Sequence, residues 1–278
     1  MSKGLLDPKV DFVFKNIFGS PNHPEILISF LNATLKPKRK IVNVDIKKTD
    51  IEKQYIEDKY SRLDVKATTS NDEIINIEIQ LKNENNMIKR SLYYLSKMYE
   101  EQLNEKEDYS KLVRTVCINI LNFKYLKTDN FHTGYRFKEI ETNEELTDVM
   151  EVHFIEIPKL EDSNDEKDML VAWTEFLKDP ESEKVRGLEL SIEEIRQAKD
   201  ELIRMSNDST QRELYDMRAN SLRDKISELN AVERKGIEKG LKKGREEGRE
   251  EGKKEEKIAI AKNLLDILDN ETIALKTD

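Results

Sequence analysis

The sequence predicts an α/β core followed by an all-helical C-terminal region. Three observations predict it. Two amphipathic helical stretches open the chain, strand-like runs fill residues 41 to 157 around one further helix, and from about residue 161 only helical periodicity remains.

Asp7 as N-cap, Pro8 at the first helical position and Gly19 past the end frame a first helix, with Val10, Val13, Phe14, Ile17 and Phe18 on one face. A second helix starts near Asn22 and Pro24 and runs through EILISFLNATL until Pro37 stops it. Residues 41–48 are extended. SRLDVKATT at 61–69 and EIINIEIQLK at 73–82 alternate in character, and Ser70, Asn71 and Asp72 between them read as a hairpin turn. A helix over 84–104, a β-branched strand over 112–121 and a strand over 150–157 complete the core. DMLVAWTEFL, IEEIRQAKDELIRM and QRELYDMRANSLRDKISEL are the successive helical stretches that follow, and a short apolar helix, IAIAKNLLDIL, closes the chain.

Charge is divided unevenly. Residues 1–125 carry 21 Lys/Arg and 18 Asp/Glu, a net of +3, which leaves 27 and 39, a net of −12, for the remainder. A polyanion would therefore prefer the first half, and the acidic whole does not exclude nucleic acid. Cys117 is the only cysteine, and His23, His132 and His153 are the only histidines, so the sequence offers neither an internal disulfide nor a structural zinc set. Any metal would have oxygen ligands. The start, MSKGLLDPKVDF, has no apolar signal core and no stretch approaches a membrane span, which gives the expectation of a cytoplasmic protein.

The hairpin carries the candidate site. Arg62, Asp64, Lys66 and Thr68 share one face of the first strand; Asn76, Glu78, Gln80 and Lys82 oppose the apolar face of Ile75, Ile77, Ile79 and Leu81 on the second. A three-residue loop at 70–72 sets Asp64 against Glu78. Two opposed carboxylates repel, so a cation belongs between them. Mg²⁺ suits Asp64, Glu78, the Ile79 carbonyl and several waters. The plainer reading is a solvated acidic face on a half-buried sheet, paired to Arg62, Lys66 or Lys82.

The order DFVFKNIFGS, RLDV, NIEIQ, a helix with KRSLYYLSKMY, then TVCINILNF resembles the PD-(D/E)XK nuclease superfamily, and more narrowly the recombination-promoting nuclease (Rpn) family, also described as transposases. The resemblance covers residues 5 to about 160 and extends loosely through the helices. It implies a restriction-endonuclease-like mixed β-sheet core flanked by helices, and Mg²⁺-dependent DNA endonuclease activity, with Mn²⁺ or Ca²⁺ as substitutes, linked to recombination or genome defence. It implies metal ligands at Asp64 and Glu78, with Gln80 in the place usually held by lysine, and a first-helix motif at Asp11 and Lys15. An amide orients water by hydrogen bonding but is no base near neutral pH. Gln is usual there in the narrower family, and Lys82 on the same face offers a cation.

Asp11 and Lys15 also read as an ordinary i, i+4 ion pair. Arg62, Arg90 and Lys97 are the candidate DNA contacts, with PKRK at 37–40 as a further basic loop, whereas Tyr94 reads as core. The expected organisation is a nuclease-like core over 1–160, a helical region over 161–230 and a charged tail over 231–278. In that tail Gly236, Gly240, Gly244, Gly248 and Gly252 recur every four residues. Five helical glycines cost roughly 5 kcal/mol relative to alanine, so the segment is either a partly disordered repeat or a small-residue stripe on which a second copy packs. In the resembling family a short C-terminal product of the same gene acts as a partner, and Met205 or Met217 are the places where one would start. Alternatives to an endonuclease are a nuclease fold that binds nucleic acid or protein without cutting, and a regulator whose acidic tail fills the basic N-terminal half.

Overall fold

The structure is a computed structural model that describes residues 4–47, 64–161, 167–264 and 272. Its strands form one six-stranded sheet in the order β1-β2-β3-β4-β6-β5, where β1 is Val44–Lys47, β2 Val65–Thr69, β3 Ile74–Gln80, β4 Thr115–Leu121, β5 His132–Lys138 and β6 Glu145–Glu156. The β1–β2, β2–β3 and β5–β6 pairs are antiparallel, and β3–β4 and β4–β6 are parallel, so the sheet is mixed. Helix α3, Met87–Glu100, lies between β3 and β4 in sequence, supplying the long crossover that a parallel pair requires.

Helices cover both faces. Ile75, Ile77 and Ile79 of β3, with Val116, Ile118 and Ile120 of β4, meet α1 (Asp11–Phe18), α2 (Pro24–Leu35), α4 (Met169–Lys178) and α6 (Glu193–Asn207) in one core. Its aromatic centre is Phe14 stacked on Phe18 at 4.6 Å, with Trp173 edge-on to Phe18 at 5.3 Å. On the opposite face α3 places Met87, Tyr94, Leu95 and Met98 on Cys117, Leu121, Val152 and Phe154. The helices after residue 161 thus share a core with the first two helices.

The element boundaries differ from expectation for local reasons. Helix α1 starts at Asp11, because Asp7 accepts the Lys9 N–H at 2.9 Å and makes a separate turn before it. Helix α3 is shorter than 84–104, since Asn85 takes a left-handed conformation with φ 59° immediately before the N-cap Asn86. Strand β5 was not expected: HTGYRFK lies at the sheet edge with mostly exposed side chains, so no apolar pattern announces it. Helix α5, Glu183–Ser191, was also missed, with Val185 its buried residue.

The chain forms two units, residues 1–219 and 220–278. Helix α7 spans Ser209–Leu264, and the five spaced glycines are helical within it, each facing open space where a Cβ would stand. No helix of the described residues is long and apolar enough to cross a membrane.

Candidate nuclease site

The hairpin register is the expected one. Val65 pairs with Ile77 and Ala67 with Ile75, so the next step along the ladder brings Asp64 opposite Glu78. The Thr69 N–H bonds the Glu73 carbonyl at 2.9 Å and closes the loop, with Asp72 at φ 61° supplying its left-handed residue. Gly19, at the end of α1, lets this strand approach: a Cβ there would lie 2.7 Å from the Lys15 carbonyl oxygen and 3.3 Å from Val65 Cγ2.

Period two put Glu78 on a face of its own, but that face is not open to water. Helix α3 covers it, leaving Glu78 1% and Asn76 1% exposed. The reading of a solvated acidic face therefore fails for Glu78. Its Oε2 accepts from Arg90 Nε at 3.1 Å, whereas its Oε1, like the Oδ1 of Asn76, is buried with no hydrogen-bond partner among the described residues. Asp64 Oδ2 accepts the Ile79 N–H at 2.8 Å.

Burial pushes the Asp64 carboxyl up to about 7; the charges of Glu78 and Asp11 add to the rise, and the Ile79 N–H and Arg90 oppose it. Burial also raises Glu78, against the pull of Arg90 and a hydrogen bond with Asn76. A second buried carboxylate, Glu151, makes the contrast. Burial raises it too, but hydrogen bonds with His153, Arg114 and Arg136 outweigh that and hold it at about 2. Glu151 lies beside Val116 where the parallel strands begin, and Glu78 beside Asn119 towards their carboxyl ends. Among the described residues, two arginines neutralise Glu151 at one end of the sheet, whereas at the other Arg90 pairs with Glu78 and only partly offsets the rise of Asp64.

The remaining expected residues distribute as follows. Gln80 is half-buried at the end of β3, two residues beyond Glu78 on the same face, and its carbonyl accepts the Asn122 N–H at 2.9 Å. Asp11 lies close enough to raise Asp64 and pairs with Arg218 at 3.2 Å. Lys15, one turn along α1, and Lys82, just past β3, are both half-buried. Arg90 is turned onto Glu78, and Lys97 lies 3.0 Å from Glu100 and 3.8 Å from Glu101. Tyr94 is buried, 4% exposed, with the Arg90 guanidinium 5.4 Å from its ring. Arg62 lies outside the described residues. Sequence reading placed Asn76 on the face of Glu78 but gave it no role, and it missed Arg218, which meets Asp11 across 207 positions of chain and leaves no local signal.

The donor set fits a hard divalent cation. It offers carboxylate oxygens and a backbone carbonyl, one buried carboxylate oxygen has no partner among the described residues, and desolvation raises both carboxyls. Among the described residues no group of three or more His, Cys, Asp or Glu gathers as a cation cage. Two carboxylates completed by water remain compatible with Mg²⁺, which keeps much of its hydration.

A family model described as PD-(D/E)XK nuclease family transposase matches residues 8–232. The chain belongs to this family. The match takes in the hairpin, α3, the rest of the sheet and the helices as far as the first part of α7. The mixed six-stranded sheet with flanking helices is consistent with the PD-(D/E)XK fold, and the family carries a nuclease-like function that generally employs divalent metal ions. Neither among curated proteins nor among solved structures does a relative match the chain.

Proposed function

We propose that this PD-(D/E)XK family member is a Mg²⁺-dependent endodeoxyribonuclease that hydrolyses phosphodiester bonds in DNA. The observation that carries the reading is the pair of opposed carboxylates, half-buried Asp64 and buried Glu78, both raised by desolvation, with Glu78 Oε1 unpartnered among the described residues. A merely structural carboxylate pair would be neutralised as Glu151 is.

Asp64, Glu78 and the Ile79 carbonyl would hold Mg²⁺, with Mn²⁺ or Ca²⁺ as substitutes. When bound, the ion stabilises charge on a phosphoryl oxygen and lowers the pKa of water. The chain's own groups do the positioning. Arg90 fixes Glu78 Oε2 and leaves Oε1 without a partner among the described residues, while the Ile79 N–H fixes Asp64 Oδ2. The Gln80 amide orients water or a phosphate oxygen, donating and accepting without serving as a base. Cleavage leaves a 5′-phosphate and a 3′-hydroxyl.

On this reading the protein acts on DNA in the cytoplasm, in recombination or genome defence. Its C-terminal helix pairs with a second copy, or with a short C-terminal product of the same gene, through the glycine-spaced stripe.

The test compares parent, Asp64→Asn and Glu78→Gln on supercoiled and linear DNA, with Mg²⁺ and with chelator. Parent nicking that needs Mg²⁺ and is lost in both variants supports the proposal. Equal cutting by the variants refutes the site. DNA retained without Mg²⁺-dependent product favours a binding module instead.

A further inference from the structure

The loop after β4 lies at the same end of the sheet as the candidate site and on the face that α3 covers. Residues 122–128 read NFKYLKT, with two lysines, two aromatics and no acid. The Asn122 N–H bonds the Gln80 carbonyl at 2.9 Å, tying the loop to the end of β3, and the Ile88 N–H reaches the Tyr125 hydroxyl at 3.4 Å, tying it to the first turn of α3. Phe123, Tyr125 and Leu126 pack on the cluster beneath α3.

A buried ion pair fixes the loop from below. Glu156, at the end of β6, accepts the backbone N–H groups of Tyr125 and, at 3.1 Å, of Leu126. Lys159 Nζ donates to the carbonyls of Leu126 at 2.8 Å and Thr128 at 2.6 Å, and to Glu156 at 2.6 Å. Glu156 is 0% and Lys159 9% exposed. Desolvating two charges costs several kcal/mol per ion before their attraction offsets it. Ordinary turn residues close a loop at far lower cost, so this arrangement serves to hold a surface segment in one conformation.

What the segment holds out to solvent is positive. Lys124 and Lys127 are exposed, as is Lys89 in the first turn of α3, and none of the three ammonium groups has an ion pair or hydrogen bond among the described residues. The basic groups singled out on α3, Arg90 and Lys97, are by contrast engaged with Glu78 and with Glu100. We infer that the 122–128 loop, with Lys89, is the surface that grips the DNA phosphate backbone beside Asp64 and Glu78. The inference rests on the nuclease reading proposed above. Backbone contacts of this kind fix the register of a duplex without reading its sequence, and cations on a preorganised segment lose less freedom when they engage.

The experiment measures binding of a fluorescent duplex by anisotropy, with the full chain in chelator, across a range of salt. Each phosphate neutralised contributes about 0.9 to the slope of log K against log salt. Lys124→Ala with Lys127→Ala should therefore flatten the slope by roughly 2, so that affinity falls about tenfold less between 50 and 200 mM salt than for the parent. Lys89→Ala should remove roughly 1 more. Lys124→Arg with Lys127→Arg should restore the parental slope, and unchanged melting temperatures confirm that folding is intact. If the parent binds and cuts DNA while the double alanine variant keeps the parental slope, the inference is overturned and the nuclease reading stands. If the parent neither binds nor cuts DNA, the nuclease reading falls and the inference with it.

Discussion

Replacing Asp64 by Asn tests the site's electrostatics without any substrate. The folded protein holds this carboxyl at about 7, against an ordinary value of 3.8. Because the folded pKa is the higher, the native state binds the proton more tightly than the unfolded chain. The contribution of this one group to stability is therefore fully present below about pH 4, is lost as pH rises towards 7, and levels off above that. A shift of about three units corresponds to roughly 4 kcal/mol at most, and less in practice because Asp64 is only half-buried and water screens part of the effect. Glu78 is raised in the same direction, so the pair shares its titration. Urea unfolding in chelator at pH 4, 6 and 8 provides the assay. Relative to the parent, Asp64→Asn should gain about 2 to 4 kcal/mol between pH 4 and pH 8, and Mg²⁺ should recover much of that loss for the parent alone. A parent-minus-variant difference that stays flat with pH would refute the claim that this carboxylate is desolvated.

Further outcomes follow from single contacts. Arg90→Met leaves Glu78 buried with one cation fewer and should cost about 3 kcal/mol; a double-mutant cycle with Glu78→Gln should recover most of it, as read from denaturant midpoints. Trp173→Ala removes a side chain that is 0% exposed and edge-on to Phe18, and should cost about 3 to 5 kcal/mol in the same assay. Gly240→Ala with Gly248→Ala meets open space in the helix and should raise helicity by circular dichroism, at about 1 kcal/mol per site. If a second copy packs on the stripe, the same change should also reduce the oligomer seen by sedimentation, because the added methyl groups keep the helices apart.

Much of this protein is local in origin, and that part was legible. The β3 sequence alternates Ile75, Ile77 and Ile79 with Asn76, Glu78 and Gln80, and a three-residue loop sets the hairpin parity, so Asp64 opposite Glu78 follows from short-range rules alone. The strand β5 was invisible because an edge strand with exposed side chains has no hydrophobic signature. Glycine content made the tail ambiguous, since propensity opposes a helix that the structure nonetheless carries through to Leu264.

The sequence by itself determined which side chains share a face, because side-chain direction in a strand repeats every two residues whatever surrounds it. Only the tertiary structure decided what that face meets. Helix α3 closes over Glu78 and turns Arg90 inwards, which makes a pair that alternation would leave in water into a desolvated one. Arg218 reaches Asp11 across the chain, and Glu156 with Lys159 fixes a loop some thirty positions away. Burial and charge balance depend on distant segments meeting, and no periodicity in a single stretch of chain records which segments those are.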